Sequence, residues 1–218
     1  MINQLSLPRA IRALFAVYII SLVFASPLPA ADLRDRPSDE AEAADSELQL
    51  QRQGWVIDSL EVQGANLPGV RHLVASGRIA APPESVWEAI ASPPNPDEKW
   101  PNLKEMVLER VSRDGYIARY TMAVPIYADR RYRLRTSADP SRRRFTFEML
   151  PGYGNVHQIR GYWDVAPLGE SDTRVTYVLD VDPGVKFVPE PIIDWVIRNA
   201  VPHSFEYLLD LSRAHSHS

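Results

Sequence analysis

Apolar and polar residues alternate most regularly near the C-terminus, where Val175, Tyr177, Leu179 and Val181 recur at every second position. Arg174, Thr176, Asp180 and Asp182 lie between them, the signature of an antiparallel strand with one wet face. The stretch from Asn155 to Asp182 reads as two such strands, NVHQIRGYWDV and DTRVTYVLDVD, joined by the turn APLGES. Asp182-Pro183-Gly184 ends the second strand, and the spacing then changes to that of a helix from about Glu190 to Arg213. Ile193, Ile197, Ala200, Ser204, Leu208 and Leu211 form one stripe, widened by Val196, Val201 and Phe205. Pro202 predicts a kink or break near Asn199 to Pro202, because its ring removes a helical hydrogen bond and crowds the preceding turn.

Upstream, the pattern predicts strands at Trp55 to Gln63 and Val70 to Ile79, then a short helix at Glu84 to Ala91 with proline at its first turn. Four more strands are expected at Glu105 to Val111, Tyr116 to Val124, Tyr127 to Thr136 and Arg144 to Leu150. Asp114-Gly115, Val124-Pro125 and Asp139-Pro140 supply the turns. The order is two strands, a helical insert, a run of strands and a closing helix, so the fold class is α+β. A long helix with one apolar face must bury it against the sheet, and that geometry can enclose a cavity.

Strand parity selects the side facing that helix. It contains Tyr116, Tyr120, Met122 and Val124, then Tyr132 and Leu134, then Phe145, Phe147 and Met149, with Trp163 and Tyr177 on the last two strands. From periodicity alone these residues pack a dry core, and a ligand cavity is the alternative. The tyrosines at 120, 132 and 177 bear on that choice, since a buried phenol needs a hydrogen-bond partner that a ligand or trapped water can supply.

Composition adds a leader and subtracts several chemistries. Residues 1–31 carry Arg9 and Arg12, an apolar run from Ala13 to Ala25 and small residues suited to cleavage after Ala30 or Ala31, the pattern of a secretory signal peptide. An uncleaved anchor is the alternative. Residues 32–53 hold seven acids and almost no large apolar residue before Leu48, which predicts a flexible acidic tether, transiently helical toward its end. The folded unit spans 54–213, with 214–218 a disordered tail. Without the leader the chain has 22 basic and 28 acidic residues, a formal charge of −6, which disfavours nucleic acid as a partner. There is no cysteine, so no disulfide supports the core.

Catalytic motifs are thin: no Gly-x-Ser-x-Gly elbow, no His-Glu-x-x-His pair and no phosphate-binding glycine loop with lysine. No cofactor or metal is expected. His157 with Tyr153 or Asp164 is the one acid/base combination worth locating, and it requires a shared pocket. Arg160 reads as a structural ion-pair partner. Arg131, Arg133 and Arg135 alternate along one strand and Arg142, Arg143 and Arg144 follow the next turn, so one outer face gathers six arginines. A solvated sheet face is one reading; transient contact with an anionic membrane is the sharper one.

The segment GRIAAPPESVWEAIASPPNPDEKWPNLKEMVLER resembles the opening of the START and polyketide-cyclase-like superfamily (SRPBCC, related to Bet v 1). PIYADRRYRLR, IRGYWDVAPLGESDTRVTYVLDVDPG and VPEPIIDWVIRNAVPHSFEYLLDL resemble its later segments in the same order. The resemblance spans about Trp55 to Ser212. It implies a helix-grip fold, a curved antiparallel sheet around the C-terminal helix, with a cavity for a lipid or other hydrophobic small molecule held by a monomer. Its lining would be Tyr120, Met122, Tyr132, Leu134, Phe145, Phe147, Trp163, Tyr177, Ile193 and Ile197. Carriage rather than catalysis is the expected role; an aromatase/cyclase-type enzyme and a ligand-free interaction module are the alternatives. The strand matching the buried-acid position of sterol-binding members, Ile117 to Val124, has no acid, so no sterol specificity is implied.

Overall fold

The computed structural model describes residues 39–65, 69–94, 103–123, 128–184 and 190–215, side chains at 39–45, 190–193, 195–197 and 199 excepted. Eight antiparallel strands form one sheet in the order β1-β2-β8-β7-β6-β5-β4-β3. They are β1 (Trp55–Gly64), β2 (Arg71–Ile79), β3 (Leu103–Ser112), β4 (Gly115–Met122), β5 (Arg130–Asp139), β6 (Arg144–Met149), β7 (Gln158–Pro167) and β8 (Thr173–Asp182). Among the described residues three helices accompany them: α1 (Asp39–Gln53), α2 (Pro83–Ala91) and α3 (Glu190–His215). After the β1-β2 hairpin the chain passes through α2 to the far edge of the sheet. It then returns strand by strand until β8 pairs with β2, Leu73 opposite Leu179 and Ala75 opposite Tyr177.

The expected alternation is observed. In β8 Thr173, Val175, Tyr177, Leu179 and Val181 are buried while the residues between them are more exposed. In β5 Tyr132, Leu134 and Thr136 are buried and Arg131 and Arg135 exposed. α2 begins at Pro83, a residue whose missing N–H costs nothing in a first turn, and it buries Val86, Trp87, Ala89 and Ile90. Thr173 fastens the start of β8 to the entry of α2, its buried hydroxyl donating to the Ala81 carbonyl at 2.7 Å.

α3 rests on α2, β1 and β2. Its described half buries Ala200, Val201, Ser204, Phe205, Leu208 and Leu211 on one stripe. Ser204 and Ser212, although buried, donate to the carbonyls one turn back, Ala200 at 3.2 Å and Leu208 at 2.6 Å. The helix continues through Pro202, so of the expected kink or break the break does not occur. Ala200, Val201 and Phe205 are buried around the proline, and that burial outweighs one lost backbone bond.

In the acidic segment 39–53 forms a helix, where the sequence predicts a tether helical only transiently toward its end. One apolar anchor, Leu50, is buried, and Glu47 reaches Arg78 of β2 at 2.9 Å. β5 begins three residues later than predicted and ends three later, at Asp139. The Asp139 carboxylate accepts from the Ser141 backbone N–H at 3.0 Å and hydroxyl at 2.6 Å, closing the turn so tightly that pairing continues up to it. Among the described residues no helix is long and apolar enough to cross a membrane. The leader expected at 1–31 and the first part of the expected tether, 32–38, lie outside the described residues.

Candidate functional site: an aromatic wall on the concave face

Five adjacent strands contribute to one wall. Tyr120 of β4 stands opposite Tyr132 of β5, and their rings stack at 5.3 Å between centroids. Phe145 of β6, Trp163 of β7 and Tyr177 of β8 form a cross-strand row, and Trp163 stacks on Tyr177 at 3.9 Å with 15° between planes. Phe147 fills the space over Gly161, which stands opposite it on β7, and lies 6.2 Å from Tyr177. Phe205 of α3 closes on Trp163 at 6.3 Å. Such offset and tilted pairs are favourable beyond the area they bury.

The eight sequence-selected residues with described side chains, Tyr120, Met122, Tyr132, Leu134, Phe145, Phe147, Trp163 and Tyr177, all lie on this wall, none more than 6% exposed. The wall is closely packed, its rings in contact with one another. The side chains of Ile193 and Ile197 lie outside the described residues, as does Val124. Parity also placed Tyr116 here, correctly. Two contributors were missed: Phe205, assigned only to the helix stripe, and Arg130, which is buried and shares the parity of Tyr132. The same alternation would have found Arg130.

The polar content of the wall is unusual. The hydroxyls of Tyr120, Tyr132 and Tyr177 are buried; that of Tyr120 faces Tyr116, and those of Tyr132 and Tyr177 have no hydrogen-bond partner among the described residues. Burial raises the pKa of each phenol well above its ordinary value. Charge on Tyr116 or Tyr132 would raise that of Tyr120 further, and charge on Tyr177 that of Tyr132. All three are therefore neutral donors at physiological pH. Of the other buried polar side chains, Thr136 exchanges hydrogen bonds with the Tyr116 backbone, and Arg71 meets Asp194 at 3.0 Å.

The residues suggested for acid/base work are not brought together. His157 is largely exposed at the sheet margin and meets Asp182 at 3.1 Å; Tyr153 lies under Arg119; and Asp164 binds Arg144 at 2.5 Å. Arg160 points outward and forms the expected ion pair, to Asp180 at 2.8 Å, while His72 reaches the other oxygen of that carboxylate at 2.6 Å. No group of side chains suited to a metal occurs among the described residues.

Arg131, Arg133 and Arg135 lie on the outer side of β5 and Arg144 on that of β6, while Arg142 and Arg143 lie in the turn between them; five of the six face carboxylates. Arg133 meets Glu109 at 2.6 Å, Arg135 meets Glu148 at 3.1 Å, Arg142 meets Asp139 at 3.8 Å, Arg143 meets Glu84, and Arg144 meets Asp164. Glu109 also binds Arg119 at 2.8 Å, bridging two strands. The face is a lattice of mixed charge rather than a strong positive field.

Within this lattice Asp180 carries a pH dependence. Burial works to raise its pKa, but the hydrogen bonds from His72 and Arg160 outweigh burial and leave it lowered. A carboxylate depressed in the folded state contributes stability above its unfolded pKa of about 4 and loses it as pH falls through the folded value. The stability advantage of the native protein over Asp180→Asn is therefore expected to shrink below about pH 4. Thermal melts of both proteins between about pH 6 and about pH 2.5 check this; a constant difference across the range would contradict it.

A curved antiparallel sheet with an aromatic concave face, gripped by a C-terminal helix, defines a helix-grip protein with an interior suited to apolar ligands. The chain belongs to the family of polyketide cyclases/dehydrases and lipid transport proteins, whose pattern it matches over residues 71–214. Members bind hydrophobic ligands. Solved structures agree on the fold. The aromatase/cyclase ZhuI from Streptomyces sp. R1128 is 20% identical with a TM-score of 0.51, covering 67% of this chain and 94% of that one. A START superfamily protein from Mycobacterium smegmatis is 13% identical at 0.53, covering 67% and 99%. Human StAR-related lipid transfer protein 5 is 16% identical at 0.52, covering 82% and 96%. No curated protein matches the sequence.

Proposed function

We propose that the protein is exported and carries a lipid or other hydrophobic small molecule on the concave face, between the sheet and α3, without chemically altering it. The observation that supports this reading best is the wall itself: a continuous set of aromatic side chains from five strands, with the buried Tyr132 and Tyr177 hydroxyls engaged by no group among the described residues. Ligand sites of this kind are mostly apolar with a few placed polar groups. Family membership points the same way, and the human lipid transfer protein shares the fold. Carriage is favoured over turnover because the wall's titratable groups, the phenols, are held neutral by burial, and His157 is engaged with Asp182 at the margin. The reading needs no membrane-docking charge from the arginine hairpin.

The deciding experiment is native mass spectrometry, with solvent extraction, of the full chain expressed in a bacterium and purified from the cell envelope. A stoichiometric hydrophobic adduct is the expected result. A protein with no adduct that also fails to bind any apolar probe would overturn carriage. N-terminal sequencing of the same sample is expected to read from Ala31 or Asp32; retention of residues before Phe24 would establish an anchor instead.

A further inference from the structure

The two halves of α3 are fastened to the molecule in different ways. From Ala200 onward the helix buries Ala200, Val201, Phe205, Leu208 and Leu211, an apolar stripe that is strongly disfavoured in water. In the half before it, the described side chains that reach the sheet do so through polar groups. Asp194 meets Arg71, the first residue of β2, at 3.0 Å. Arg198 donates from one guanidinium nitrogen to the Leu60 carbonyl and from the other to the Val62 carbonyl, both at 3.3 Å.

The register of the β1-β2 hairpin shows what Arg198 holds. Ala65 donates to the Val70 carbonyl at 3.0 Å, and bonded positions alternate along an antiparallel pair. Gln63 with His72 and Glu61 with Val74 are therefore bonded pairs, whereas Val62 and Leu60, opposite Leu73 and Ala75, turn their carbonyls away from β2. β1 is an edge strand, so one guanidinium covers two carbonyls of a free edge. Arg71 lies at the end of the same edge, beside Gly64, where a side-chain carbon would come within 3.1 Å of its guanidinium. The Asp194 side chain is 30% exposed, and polar contacts with such access to water exchange for it at little cost.

Pro202 stands where the two halves join. The N–H that proline lacks is the one that would bond to the carbonyl four residues back, that of Arg198. One rung of the helical ladder is thus missing between the half fastened by polar contacts and the half fastened by the apolar stripe. We propose that the first half of α3, up to Arg198, is a gate beside β1 and β2. It is latched by Asp194 on Arg71 and by Arg198 on the Leu60 and Val62 carbonyls, it pivots near Pro202, and the hydrophobic ligand passes when the latch opens. The passage rests on the carrier reading; the latch and the pivot do not.

The test compares the native full chain with two variants. Asp194→Asn/Arg198→Gln removes the charge of both latch residues on the gate, and Pro202→Ala restores the missing N–H. Hydrogen exchange read by mass spectrometry needs no ligand. In the latch variant the amides of 194–199 are expected to exchange about tenfold faster than in the native protein, with those of 204–212 unchanged. In Pro202→Ala the amides of 194–199 should exchange more slowly. Stopped-flow fluorescence with N-phenyl-1-naphthylamine, a neutral apolar probe, then follows passage. Association and dissociation should both be about tenfold faster in the latch variant, leaving Kd within about twofold, because a gate sets rates and not affinity. Faster exchange spread evenly over the whole helix, no change at 194–199, or faster exchange in Pro202→Ala would overturn the latch and pivot. Unchanged probe rates in the latch variant would overturn the passage. A probe that binds none of the three proteins would overturn the passage and count against the carrier reading, whatever the amides show.

Discussion

Trp163→Ala is expected to lower the stability of the domain by about 3–5 kcal/mol, a large share of the roughly 5–15 kcal/mol that holds a typical domain together. Trp163 is 1% exposed and sits where three groups meet: Tyr177 stacked on one side, Phe145 opposite in the cross-strand row, and Phe205 of α3 above. Truncation removes ring contacts on every side, and the rigid sheet beneath cannot collapse to fill the gap. The chain has no cysteine, so no covalent link compensates. Urea denaturation of the native and variant proteins gives the difference. It also reports on function, because the cost of truncation depends on how much packing exists to be lost. A loss below about 1 kcal/mol would mean that Trp163 borders open space rather than closely packed neighbours, and the closed wall described above would be wrong.

Much of this wall was legible in the sequence because a strand has a strict period of two. Once Val175, Tyr177, Leu179 and Val181 are assigned to one face, Trp163, Phe147 and Tyr132 follow by parity, and the structure places each of them there. The helix stripe was equally readable, since Ala200, Ser204, Leu208 and Leu211 sit at one azimuth. What parity cannot supply is the identity of cross-sheet partners. Arg133 on β5 reaches Glu109 on β3, with β4 between, and Arg143 reaches Glu84 in α2, 59 residues earlier. Only the path of the chain brings these pairs together, so the six arginines read as a positive patch until the topology shows their carboxylates. The helix in the acidic segment was only partly legible for a related reason. Composition sees seven acids between 32 and 53, but one buried leucine and one ion pair to Arg78 give α1 (Asp39–Gln53) tertiary support that no local count registers. Parity placed the three phenols inside; that those of Tyr132 and Tyr177 lack partners among the described residues is a property of the assembled interior.

Gly161→Val is expected to disrupt the wall from its floor and to cost about 3 kcal/mol or more, at the upper end for overpacking in a core. A side chain at this position would begin 2.0 Å from the Val178 carbonyl oxygen and 2.6 Å from the Phe147 ring. The ring can turn aside, but the carbonyl belongs to the adjacent strand β8, where Leu179 stands opposite Gly161. The strands must therefore separate, or Gly161 must twist out of register, and either movement pulls Phe147 away from Tyr177 and loosens the row that holds Trp163. Alanine at 161 carries the same first carbon, so Gly161→Ala should retain much of the penalty. Phe147→Ala in the Gly161→Val background isolates the two obstacles through a double-mutant cycle. Removing the ring is expected to recover only part of the loss, because the carbonyl contact remains. Full recovery would show that the ring alone reserves this space and that the backbone of β7 and β8 has room to yield.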